Sequence, residues 1–123
     1  MTEQRRAREA AGRKAEGFAA NWLRLRGYKI LEQRFKTPDG EIDIIARKGD
    51  VLACIEVKQR SDARAASEAV TASSERRIMD AAETYVTRHP ELLEQDFELR
   101  FDILYVIGRF RVDFIPDAFR AYD

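Results

Sequence analysis

Residues 40–60 read GEIDIIARKGDVLACIEVKQR, and the fold turns on how they are parsed. Two runs rich in Ile, Val, Leu and Ala are separated by Lys48-Gly49, a turn signal between strand-length segments. The stretch therefore reads as a β-hairpin. Asp43, Glu56 and Lys58 stand inside the apolar runs. Ionisable side chains are rarely fully buried unless they are paired or bound to a metal. Three of them in what look like core strands call for a chemical reason.

Side chains alternate across a strand, so Glu56 and Lys58 share a face. If Lys48 and Gly49 are the two loop residues, Arg47 pairs with Asp50 and Asp43 lies opposite Cys54. Asp43 is then diagonal to Glu56 on the same face, with Cβ atoms at most about 7–8 Å apart. The other face carries Ile42, Ile44, Ala46, Ala53, Ile55 and Val57 and no charge. Polar residues confined to one end of an apolar hairpin suggest a site at a sheet end. Two plainer readings compete: an edge strand whose inward charges guard against aggregation, and a simple Glu56–Lys58 ion pair. Neither accounts for a second acid in register on the neighbouring strand. Asp followed by Glu-x-Lys suits metal-assisted phosphodiester cleavage. Carboxylate oxygens hold Mg²⁺, and an ammonium one side chain away stabilises the charge that develops on phosphorus oxygens.

Working outward, residues 8–26 place Ala11, Ala15, Phe18, Ala19, Trp22 and Leu25 at helical spacing, with Gly27 where a C-terminal cap belongs. Residues 28–35 read as a strand closed by the TPDG turn. A second amphipathic helix spans residues 73–88, with Ile78, Ala81, Ala82, Tyr85 and Val86 on its buried side and Pro90 stopping it. Residues 99–108 and 110–116 read as two further strands about Gly108. The order α-β-β-β-α-β-β points to a single α/β domain over residues 1–123, a mixed sheet packed by helices in three layers. Residues 1–10 read as a flexible basic arm.

The chain has 123 residues, a formal net charge of zero and one cysteine, Cys54, which excludes an internal disulfide. The charge is unevenly spread. Residues 1–36 hold ten Lys and Arg against four Asp and Glu, a balance of +6, and the remainder carries −6. The basic segment, chiefly Arg5, Arg6, Arg8, Arg13 and Lys14, is a candidate to track a nucleic-acid backbone; a solvated charged helix is the plainer alternative. With no signal-like or membrane-spanning apolar run, a cytoplasmic location away from membranes is expected.

GEIDIIA…IEVKQR resembles the D…E-x-K signature of the restriction-endonuclease-like fold. The wider pattern resembles the YraN family of predicted nucleases, similar to archaeal Holliday-junction resolvases. It includes GRKAEGFAANWLRLRGYKIL, EAVTASSERRIMDAAETYV, RFDILYV and IPDAF. The resemblance implies a Mg²⁺-dependent endodeoxyribonuclease, with Mn²⁺ expected to substitute, acting on DNA, branched or flapped forms included; a homodimer is compatible with it. Its metal ligands would fall on Asp43, Glu56 and the main-chain carbonyl of Val57, its lysine on Lys58, and its first-helix glutamate on Glu16. Small neighbours around Glu16, Gly12, Ala19 and Ala20, would let that helix approach the sheet. The chain departs from the family pattern at Ser74, where a Lys is usual, at Arg34 and Lys36, where an Asn-x-Arg pattern is usual, and in SDARAAS, which lacks the usual Gly. The alternative is a nucleic-acid-binding or protein-docking module that keeps the fold without catalysis.

Among other residues, His89 reads as a helix-end cap, Phe18, Trp22, Tyr85 and Cys54 as core, and Asp102 as a strand-edge acid or a residue supporting the site.

Overall fold

The computed structural model describes residues 2–62 and 71–120. The glycine-free part of SDARAAS after Asp62, and the EAV that follows it, lie outside them. Helix α1 (Glu3–Leu25) is followed by strands β1 (Lys29–Lys36), β2 (Glu41–Lys48) and β3 (Val51–Arg60), helix α2 (Ala72–Arg88), a 3-10 turn over Pro90–Glu94, and strands β4 (Glu98–Ile107) and β5 (Arg111–Phe119). The sheet order is β1-β2-β3-β4-β5; β3 and β4 are parallel and the other neighbours antiparallel. The one parallel pair is the one joined through α2, because parallel neighbours need a long crossover.

The helices take opposite faces. Ala15, Ala19, Ala20 and Leu23 of α1 pack on Ile44, Ala46, Ala53, Ile55, Leu104 and Val106. Ile78, Ala81, Ala82 and Tyr85 of α2 pack with Ile45, Leu52, Cys54 and Ile103. Three Ala on α1 and two on α2 bring each helix axis close to the sheet. The expected three-layer α/β arrangement is the observed one.

Helix α1 starts earlier than its apolar periodicity implies. Thr2 caps it, its hydroxyl accepting the Arg5 N–H at 3.1 Å, and residues 3–10 are exposed helix rather than a flexible arm. An N-cap Thr, Glu3 in the first turn and a run of good helix formers suffice without packing. Strand β5 runs past Pro116 to Phe119, whereas a Pro reads as a strand end. It is an edge strand, so Pro116 costs no interior ladder bond. The irregularity is absorbed at Asp117, with φ +54 and a register shift against β4.

Gly40 sets how close α2 comes. A Cβ there would overlap the Arg77 carbonyl of α2. The Thr37–Gly40 turn therefore needs glycine for contact rather than for an unusual φ. It seats the first half of α2 over the end of β2.

Candidate functional site

The hairpin closes one step later than expected. Lys48 pairs with Val51, so Gly49 (φ +61) and Asp50 form the turn, and the register is shifted by two residues. The pairs run to Ile44–Ile55. Extended one step, this register sets Asp43 directly opposite Glu56, not diagonal to it. A two-residue error preserves which face each side chain takes, so the shared-face inference survives it.

The face assignment fails at one position. Ile42 packs in the α2 layer with Ile45, while Ile44 and Ala46 pack in the α1 layer. Alternation slips at Asp43. There the strands part, and Asp43 Oδ2 accepts the Val57 N–H at 2.8 Å, taking over a backbone acceptor's task. Across on β1, Arg34 lies between the pairs Gln33–Ile44 and Phe35–Ile42 and has φ +56. Left-handed backbone in a non-glycine strand residue is uncommon and costs of order 1–3 kcal/mol.

Helix α1 delivers Glu16 to this gap. Its carboxyl lies close enough to Asp43 for each to bear on the other's charge, and is 3.3 Å from Arg34 Nε. On β3, Lys58 Nζ is 3.3 Å from Glu56 Oε1. The plainer ion-pair reading of Glu56 and Lys58 is thus a real contact. It sits within a larger cluster, because the Asp43 charge also acts on Glu56. Glu16, Asp43, Glu56 and Lys58 thus lie in one cluster.

Burial raises all three acids. Glu16 is pushed up by burial against the opposing pull of Arg34. Burial is also the main cause lifting Asp43 from 3.8 to about 6; the Val57 N–H opposes it, and Glu16 and Glu41 add to it. Glu56 rises from 4.5 to about 7 through burial and then the Asp43 charge, with Lys58 opposing. Raised acids gathered at one gap favour keeping a proton or taking up a cation there.

Glu41 was missed by the sequence reading. It is exposed, yet its charge bears on Glu16, Asp43 and Glu56. Its place two residues before Asp43 on one strand was the available signal. Glu41 and Glu56 line a small cleft with Ser74, Arg77 and Ile78 of α2. Ser74, where the family pattern has Lys, therefore stands at the rim of the site, and Arg77 supplies a cation on the same helix.

The donor set fits a hard divalent cation. Because the Val57 N–H points at Asp43, the Val57 carbonyl points to the same side of the extended chain, into the gap beside β2. Two carboxylates and that carbonyl are all-oxygen ligands of the kind Mg²⁺ accepts while retaining several waters. Among the described residues no three Asp, Glu, His or Cys side chains form a ready-made ligand cage.

Other expectations divide. Arg5, Arg6, Arg8, Arg13 and Lys14 are exposed on α1. At about 1.5 Å per residue, Arg5 lies roughly 16 Å along the helix from Glu16, and Lys14 about 3 Å. Only the end of the basic segment is therefore near the acids. Asp102 is no strand-edge acid. It is fully buried on the interior strand β4, paired through both oxygens with Arg100 at 2.8 and 2.9 Å, and accepts the Asp117 N–H. Arg100 also donates to the Tyr28 hydroxyl, which ties β4 to the chain before β1. His89 caps α2, its Nδ1 2.7 Å from the Tyr85 carbonyl. Trp22 packs on Phe114 and Tyr85 on Phe35, and burial pushes the Cys54 thiol up to about 12, leaving it inert. No helix among the described residues is long and apolar enough to cross a membrane.

A five-stranded mixed sheet held between two helices, with acids and a lysine where its strands part, defines a restriction-endonuclease-like α/β domain. The profile of the Uncharacterised protein family UPF0102 matches residues 15–106, a span holding Glu16, Asp43, Glu56 and Lys58. The chain belongs to that family, the YraN family. Similar relatives are UPF0102 proteins of three bacteria. That of Rhodopseudomonas palustris (strain BisB18) is 44% identical over 110 residues, covering 89% of this chain and 80% of the relative. That of Bradyrhizobium sp. (strain BTAi1) is 50% identical over 98 residues, covering 80% and 71%. That of Chelativorans sp. (strain BNC1) is 46% identical over 109 residues, covering 89% and 85%.

Proposed function

We propose that the chain is a metal-dependent endonuclease that hydrolyses phosphodiester bonds in DNA, branched and flapped forms included. The observation that carries this reading is the convergence of two half-buried acids, Asp43 and Glu56, beside Lys58 and an inward-facing carbonyl. A structural core has no use for like charges that raise one another's pKa. Mg²⁺, or Mn²⁺ in its place, would be held by Asp43, Glu56 and the Val57 carbonyl, and when bound supplies charge neutralisation at phosphate and a more acidic water. Lys58, now on Glu56, is one side chain from where a phosphate would enter and can transfer its hydrogen bonds to a phosphoryl oxygen. Arg34 holds Glu16 against Asp43 and so positions the Asp43 carboxyl from the α1 side. Exposed Arg13 and Lys14 lead the DNA backbone toward the gap.

The test is cleavage of labelled linear, flapped and four-way-branched DNA with Mg²⁺ and with Mn²⁺. Wild type should cut at least one substrate, and Glu56→Ala and Lys58→Met should lower the rate by at least about 10²-fold. Cleavage that persists in Glu56→Ala would refute the assignment. A second reading, a binding module without catalysis, is favoured by one contact: the Glu56–Lys58 pair satisfies both charges without a metal. DNA binding with no turnover under either metal would select it.

A further inference from the structure

The turn joining β4 and β5 reads Gly108-Arg109-Phe110-Arg111, and Phe110 is 79% exposed at its tip. The turn is anchored, not loose. Gly108 has φ +59, and its N–H donates to the Arg60 carbonyl at 3.0 Å. Arg60 is two residues beyond Lys58, about 7 Å along β3. The tip therefore projects from the same end of the sheet as the acids.

Beside it runs a groove of about 400 Å³ between α1 and the turn, whose lining includes Lys14, Phe18, Gln59, Arg109 and Phe110. Its position is informative. Lys14 and Phe18 lie two residues either side of Glu16 and so take the other flank of α1, and Gln59, next to Lys58 on β3, takes the opposite face of the sheet. The groove thus lies across α1 from Glu16, at the same end of the sheet as the acids. Its charged lining residues are cations, Lys14 and Arg109; Arg111, 61% exposed, adds a third on the strand side, in contact with Asp113 at 3.4 Å. A lone exposed aromatic needs no explanation. An aromatic framed by cations, over a groove at the sheet end that carries the proposed phosphodiester-cleaving site, matches the way single strands are held: bases stack on rings while basic side chains follow the backbone.

Resting on the nuclease reading, we infer that this turn and groove bind unpaired nucleotides of the DNA substrate, with a base stacked on Phe110 and phosphates on Arg109 and Lys14. The unpaired arm of a flap or branch would then lie against α1 while the adjoining duplex approaches the acids. Selectivity for branched DNA would come from this contact and not from the acids themselves.

The test is fluorescence anisotropy in EDTA with two labelled probes, a blunt duplex and the same duplex bearing a single-stranded dT extension of about ten nucleotides. Cleavage plays no part in the readout. Phe110→Ala should weaken binding of the extended probe by at least about fivefold and of the blunt duplex by less than about twofold. Phe110→Trp should restore the extended probe, because any large ring can stack. Thermal stability should not change, since the side chain is exposed. Equal weakening on both probes, or none on either, overturns the inference. The two readings fail separately. Extension-dependent binding through Phe110 without turnover under Mg²⁺ or Mn²⁺ leaves the groove assignment standing and removes catalysis. Cleavage that is indifferent to Phe110 does the reverse. Failure of wild type to bind either probe at low salt removes both, and marks the turn as a protein-docking tip.

Discussion

Replacing Asp43 by Asn keeps an oxygen to accept the Val57 N–H and removes one charge from a group that includes Glu16, Glu41 and Glu56. In the folded chain the Asp43 carboxyl is raised from 3.8 to about 6, so the folded state binds its proton more tightly than the unfolded state. The sign follows. Below about pH 4 both states are protonated and Asp43 costs nothing. As pH rises through the interval up to about 6, the unfolded chain ionises freely and the folded chain resists, so stability is lost. At about 1.36 kcal/mol per pH unit the full displacement is about 3 kcal/mol. Sharing of protons with Glu16 and Glu56 lowers this to about 2 kcal/mol. Asp43→Asn should therefore match wild type near pH 4 and exceed it by about 2 kcal/mol at pH 8, roughly 6–8 °C in Tm for a domain of this size. Urea unfolding followed by circular dichroism at pH 4, 6 and 8 in EDTA measures it. Adding Mn²⁺ at pH 8 should stabilise wild type and not the variant. A variant no more stable than wild type at pH 8 would refute the idea that uncompensated charge is concentrated here.

Three further outcomes are expected. Gly40→Ala drives a methyl into the Arg77 carbonyl and should cost at least about 1–3 kcal/mol in chemical unfolding, whereas an Ala at exposed Asp39 should cost little. Arg34 has left-handed backbone, so Arg34→Asn should be more stable than Arg34→Val by about 1–2 kcal/mol, although both lose the Glu16 contact; equal stabilities would mean that φ carries no cost there. Asp102→Asn leaves the Arg100 charge mostly buried without its carboxylate and should destabilise by about 3 kcal/mol at pH 7, read from the thermal transition, with the shortfall absent in Asp113→Asn on the exposed strand.

Periodicity carried most of the architecture. The α2 face of Ile78, Ala81, Ala82 and Tyr85 and the α1 face of Ala15 and Ala19 were readable, because helical spacing depends on local chain geometry alone. The pairing of Glu56 with Lys58 followed from two-residue alternation. What failed depended on events between strands. Whether Gly49 is the second or the first loop residue is decided by how the strands meet, and nothing in Lys48-Gly49-Asp50 distinguishes the two. The slip at Asp43 was hidden because Ile42 and Ile44 are the same residue type, and only packing against opposite helices separates them. Asp102 looked peripheral because it opens an apolar run, while its partner Arg100 precedes it and its other contact, Asp117, lies beyond a proline. Glu16 was placed by family resemblance; its small neighbours agreed, but only the docked helix brings it to Asp43.

The sheet order carries a consequence for synthesis of the chain. Glu16, Asp43, Glu56 and Lys58 all lie before the crossover, and β3 acquires its second neighbour only when β4 arrives from beyond α2. As the chain leaves the ribosome, β3 is for that interval the open edge of a three-stranded meander whose first half, Val51 to Ile55, has no charge. An edge of that kind invites pairing with another nascent chain. Glu56, Lys58 and Arg60 are the charges on that edge. The side chains assigned to chemistry in the finished domain thus also keep its half-made form from joining a neighbour, and a variant stripped of them should be lost to aggregation during expression more readily than its equilibrium stability implies.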